Sequence, residues 1–109
     1  MAKYLIQATY SNEGIKGLSK DGGTGRRTAV EAALKALGGR LDLLYFTFGD
    51  YDVCGIGDLP DHVAAASFAL AVGASGAFSN YKTTVLLTPE EVDQAAKKAS
   101  SLGYRAPGH

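Results

Sequence analysis

A single cysteine, Cys54, stands in the whole sequence, which excludes a disulfide within the chain and any site built from four thiolates. An excess of either charge is also missing: 11 basic and 11 acidic side chains leave a formal charge of zero with both histidines neutral. Balance of this kind argues against nucleic acid or an anionic membrane as the main partner, because neutralising phosphates takes a basic surplus. No apolar run reaches the roughly 20 residues that span a bilayer. The longest, Val63 to Val72, is broken by Ser67 and dominated by alanine. At the start, Gln7 follows directly on Leu5 and Ile6, where a secretory signal needs a continuous hydrophobic stretch. A soluble, cytoplasmic protein in a reducing compartment is the expectation.

What is present suits one domain covering residues 1–109. The 109 residues are 46% hydrophobic, enough for a core without staples and too much for intrinsic disorder. Tyr4 to Tyr10 alternates two sets of side chains and reads as a strand. Ser11 to Arg27 holds Gly14, Gly17, Gly22, Gly23 and Gly25, and each interior glycine costs a helix about 1 kcal/mol. A short helical turn followed by a loop is therefore expected there. Val30, Ala33, Leu34 and Leu37 form one apolar stripe ahead of Gly38-Gly39, which predicts a helix from about Gly25 to Leu37.

Leu41 to Phe48 and Tyr51 to Gly57 read as strands joined by a tight Gly49-Asp50 hairpin. Gly55 and Gly57 suggest a close backbone approach or a bulge. Pro60 suits the first position of a helix running to about Val72. Phe78 to Leu87 reads as a fourth strand. Thr88-Pro89-Glu90-Glu91 has the form of a capping box opening a last helix to about Leu102.

The order β-α-β-β-α-β with an added C-terminal helix is the α+β, ferredoxin-like arrangement with an antiparallel sheet. Both central helices then cover one sheet face. Leu5, Leu43, Tyr45, Tyr81 and Val85 are expected on the other. A bare apolar face needs a cover, and a second copy of the chain is the economical one.

Phe48-Gly49-Asp50-Tyr51-Asp52-Val53, Leu59-Pro60-Asp61 before an alanine-rich helix, Tyr4-Leu5, Ala36-Leu37-Gly38-Gly39 and Leu87-Thr88-Pro89-Glu90-Glu91 occur in order along the chain. In this set the chain resembles the GYD-domain family. The resemblance implies membership of the wider dimeric α/β-barrel group, which includes heme-free monooxygenases, lactone isomerases and ligand-binding modules; it implies no settled reaction, and no cofactor is assigned. One departure is that Gly57 precedes Asp58 where such proteins carry an acidic residue near the end of the third strand.

Antiparallel geometry gathers Tyr10, Asn12, Tyr51, Asp52, Asn80 and Tyr81 at the hairpin edge, with Arg40, Asp42, Asp58, Asp61 and His62 at the opposite edge. Strands of this length separate the two by roughly 20 Å. Asp52 with Tyr10 is the candidate catalytic pair, a base beside a hydrogen-bond donor. The plainer alternative is that Asp52 satisfies backbone N–H groups at the turn, and it is favoured because one carboxylate without a histidine or metal is a thin catalytic set. Gly22-Gly23-Thr24-Gly25-Arg26-Arg27 could hold an anion through amides and guanidiniums, or be a plain solvated loop. It lacks the lysine-serine/threonine ending of a phosphate loop.

The candidate ligand-binding residues are therefore Tyr10, Asn12, Arg26, Arg27, Tyr51 and Asn80. Asp58, Asp61 and His62 have metal-ligand atoms but stand where helix capping is the ordinary use, so no metal is assigned. Cys54 reads as a small buried thiol and His62 as a surface histidine. The leading expectation is a homo-oligomer, dimer or larger, that binds a small organic molecule between sheet and helices, an anion among the candidates. A cofactor-free isomerase or monooxygenase, and a purely structural or regulatory oligomer, are the alternatives.

Overall fold

Strand β1 (Ala2–Tyr10) lies at the centre of a four-stranded sheet in the order β2-β3-β1-β4, with β2 spanning Arg40–Phe46, β3 Val53–Leu59 and β4 Phe78–Leu86. This computed structural model describes residues 1–109. Every pairing is antiparallel. Helices α1 (Asn12–Ala36) and α2 (His62–Ala74) are the two crossovers, and α3 (Pro89–Ser100) follows β4. The architecture is the ferredoxin-like α+β arrangement with a further C-terminal helix.

Helix α1 differs most from its sequence reading. It begins at Asn12 and continues to Ala36, interrupted only at Gly22, whose φ of 75° lies outside the helical region. The Gly22 to Arg27 stretch is thus a kink and a helix start, and the expected flexible loop is absent. Packing outweighs the glycine penalty: Leu18 joins one apolar cluster, and Val30, Ala33 and Leu34 join another. Ser11 anchors the first turn. Its hydroxyl accepts from the Gly14 amide at 3.1 Å and donates to the Gly76 carbonyl at 2.8 Å. A side chain at Gly14 would strike the Ala77 carbonyl, 1.9 Å from the ideal Cβ position, so glycine is required there by close approach.

The hairpin is also wider than expected. β2 ends at Phe46 and β3 starts at Val53, because residues 47–52 form a looped turn in which Phe48 takes a φ of 47°. Thr47 closes it, its amide donating to the Asp52 carbonyl at 2.9 Å and its hydroxyl to the Tyr51 carbonyl at 2.6 Å. Asp61 caps α2 by accepting from the Ala64 amide at 2.8 Å, so the helix starts at His62 rather than Pro60. The capping box of Thr88 and Glu91 forms as read.

Cross-strand partners fix which side chains share a face. Tyr4, Ile6 and Ala8 pair with Val85, Thr83 and Tyr81, so Tyr81 and Val85 face the helices and not the open side. The sequence reading had β4 inverted, because both of its alternating sets contain apolar residues and a bulge between Thr9 and Tyr10 shifts the phase. Leu5, Leu43 and Tyr45 do lie on the open face, together with Ile56, Thr84 and Leu86. Tyr45 there is 67% exposed. No residue of α3 is buried, and the radius of gyration, 17.2 Å, exceeds the roughly 13 Å of a compact chain of about this length. No helix is long and apolar enough to cross a membrane.

One corner of the open face is charged. Asp58 receives Lys3 at 3.0 Å and the Arg40 Nε at 3.1 Å, and Lys3 also bonds Asp42. Removal from water favours the neutral Asp58 carboxyl, yet the hydrogen bonds and charges of Lys3 and Arg40 outweigh this and hold its pKa below the ordinary carboxylate value. A lowered folded-state pKa gives stability that is present above the unfolded value of about 4 and lost as pH falls through the folded one. Asp58→Asn is expected to cost roughly 1 kcal/mol at pH 7, the bonds being partly solvent-screened. Thermal melts between pH 7 and pH 2 should then show a smaller acid-induced loss in the variant than in the parent.

Candidate functional site

The helix-facing side of the sheet is uneven. Ala8 and Gly55 put almost no bulk at its centre, while Tyr10, Leu44, Phe68, Phe78 and Tyr81 rise around them. A cavity of about 50 Å³ results, lying between sheet and helices, and 11 of its 13 lining residues are hydrophobic. Arg26 is the one charged side chain in the lining. It is placed there because α1 resumes immediately after the Gly22 kink.

Two phenols complete the polar inventory. Tyr81 lies opposite Ala8 and packs against Phe68 of α2, ring centroids 6.4 Å apart. Its hydroxyl is shielded from solvent and has no hydrogen-bond partner. Burial raises its pKa, and the neighbouring Thr83 hydroxyl draws it only partly back. Tyr10 stacks on Phe78 at a centroid distance of 4.7 Å. Burial raises its phenol too; the facing Arg26 guanidinium lowers it, and the Asp52 charge adds to the rise. Both phenols are therefore protonated at neutral pH and able to donate.

A wider cleft of about 280 Å³ lies beside the cavity, lined in part by Glu13, Asp21, Ala71 and Ser75. Tyr10, Arg26, Val72 and Phe78 line both spaces and form the partition between them. Asp21 in the cleft stands 3.9 Å from the Arg26 guanidinium across the Gly22 kink.

The other candidates from the sequence fall elsewhere. Asp52 accepts from the Tyr10 amide at 3.0 Å, and its own amide donates to the Ala8 carbonyl at 2.9 Å. It prolongs the β1–β3 pairing past the last ladder residue, and it lines neither space. Asn12 is exposed in the first turn of α1, and Arg27 faces Glu31 at 3.9 Å on the solvent side. Tyr51 belongs to the 47–52 turn through its carbonyl. Asn80 is exposed opposite Thr9 on the open sheet face. Tyr10 and Arg26 are thus brought together, and the remaining four binding candidates are spread around them without joining the cavity.

At the far edge, the Tyr4 hydroxyl and His62 Nδ1 are 3.2 Å apart. Asp58 serves the ion network and Asp61 the α2 cap. The sequence reading passed over Ala8, Gly55 and Phe68 as site residues and assigned Tyr81 to the wrong face. A period-two alternation in β1 already put Ala8 in line with Tyr4, Ile6 and Tyr10, and that was the available signal for a hollow among large side chains.

No curated protein matches the chain closely enough to count as a relative. The family model of the GYD domain matches residues 4–96, from the first strand into the last helix. With most of its length covered by that match, the chain belongs to the GYD domain family.

Proposed function

We propose that this protein is a homo-oligomeric binding module that takes a small organic molecule into the cavity between its sheet and helices. The observation that carries the reading is the Tyr81 hydroxyl, which lines an apolar cavity with no hydrogen-bond partner. An unsatisfied buried hydroxyl costs a protein about 1 to 3 kcal/mol. Phenylalanine would fill the same space without that cost, so the hydroxyl is explained by something outside the chain that accepts its hydrogen bond.

A cofactor-free isomerase or monooxygenase would need a base directed at the bound molecule. Asp52, the carboxylate suited by sequence to that role, is committed to the Tyr10 amide and lies outside the cavity lining. The binding reading therefore accounts for more of the geometry than the catalytic one.

Tyr81→Phe separates a binding group from a packing accident. The unliganded variant is expected to gain roughly 1 kcal/mol, or about 4 °C in Tm. Its Tm should respond less than the parent's to a panel of two- to six-carbon acids, amides and alcohols. Ala8→Leu should fill the cavity and abolish the response altogether. A Tyr81→Phe protein that melts lower than its parent would mean that the hydroxyl is already satisfied, against the proposal.

The self-association half of the reading is supported by Leu5, Leu43, Tyr45 and Ile56 on the uncovered sheet face, together with the fully unburied α3. Sedimentation velocity at micromolar concentration should give a dimer or larger species. Tyr45→Glu should reduce it to monomer, since a carboxylate buried at an interface without a partner is costly to desolvate. A parent that sediments as a monomer contradicts this half.

A further inference from the structure

The cavity and the cleft meet at Arg26, and the charges around that meeting point restrict what the site accepts. On the cavity side the walls are hydrocarbon and aromatic, with the small Ala8 side chain leaving the space and Phe68 standing at its rim. On the cleft side stand two carboxylates, Glu13 and Asp21. Arg26 is the single cation between them; it faces the Tyr10 phenol, and its carboxylate partner, Asp21, is at 3.9 Å with half of its side chain in solvent. A pair this long and this wet is weak.

Taking the binding role above as its premise, we propose that the ligand is a short-chain monocarboxylate. Its hydrocarbon part lies in the cavity, and its carboxylate lies on Arg26, where it displaces Asp21. Guanidinium binds a planar carboxylate through two parallel N–H···O bonds, which the loose Asp21 contact does not supply. The Tyr10 phenol, facing the same guanidinium, is the neighbouring donor, and the Tyr81 hydroxyl is a second donor in the cavity lining. The small cavity limits the chain: a dry apolar void of about 150 Å³ is what benzene requires, and this one is about 50 Å³. A second carboxylate is rejected from either side, by the apolar wall inward and by Glu13 and Asp21 outward.

Calorimetric titration of the intact protein with sodium butyrate, butyramide and sodium succinate tests this. Butyrate should bind at least roughly tenfold tighter than its neutral isostere butyramide, the difference between a charge-assisted and a neutral hydrogen-bonded contact. Succinate should be weaker than butyrate. Arg26→Gln should bring butyrate down to the butyramide level. Asp21→Asn should tighten butyrate severalfold and leave butyramide unchanged, because it removes the competitor for Arg26. Butyramide binding as well as butyrate, or Asp21→Asn failing to tighten butyrate, would overturn the monocarboxylate assignment while leaving a binding cavity in place. If none of the three probes binds, the binding role falls, and this inference with it.

Discussion

Small side chains at the centre of the sheet set the shape of what lies above them. β1 contributes Ala8 and β3 contributes Gly55 and Gly57 to the helix-facing side, just where a sheet of this kind ordinarily presents branched residues to its helices. At Gly57 the space is taken back: a Cβ there would come within 2.9 Å of both the Arg40 carbonyl and Leu34, and Leu34 is fully buried against it. At Gly55 the Leu44 side chain closes in, 3.0 Å from where a Cβ would stand; at Ala8 the space is left open, and the aromatic rim of Tyr10, Phe68, Phe78 and Tyr81 stands around the opening. Cores elsewhere close-pack, and a missing methylene is felt, so the hollow has a stability cost that a bound molecule would offset.

The kink at Gly22 sets Arg26 against the same hollow. A straight α1 would carry Arg26 along one axis with the turns before it. The break at φ 75° instead lets α1 resume on a new course, with its guanidinium at the partition between cavity and cleft. The hairpin edge and the charged corner are then two separate systems. At one, Asp52 extends the backbone pairing of β1; at the other, Lys3, Arg40, Asp42 and Asp58 hold three strands together across the open face.

Much of the fold was legible because its signals were local. The Thr88-Pro89-Glu90-Glu91 box, the stripe of Val30, Ala33, Leu34 and Leu37, and the alternation in β1 each declare an element within a few residues. What escaped depended on partners far along the chain. The continuity of α1 through its glycines rests on Ser11 bonding Gly76 and on Gly14 fitting beneath Ala77. The facing of β4 rests on its register with β1 and a bulge at Thr9/Tyr10, neither of which is written in the alternation of β4 itself. The site shared this limit. Tyr10 and Arg26 were found by residue type near an expected loop, whereas Tyr81 needed the register to turn it inward, and Ala8 and Gly55 act through the bulk they lack.

The central claim is that the hollow over Ala8 is occupied in the working protein and that the Tyr81 hydroxyl bonds to its occupant. A high-resolution crystal structure of the protein grown with sodium butyrate tests it most directly. The account predicts ligand density in the cavity with an acceptor within about 3 Å of the Tyr81 hydroxyl and a carboxylate on Arg26. A cavity closed by side-chain movement, with the Tyr81 hydroxyl bonded to a protein acceptor and no density in the space, would contradict it.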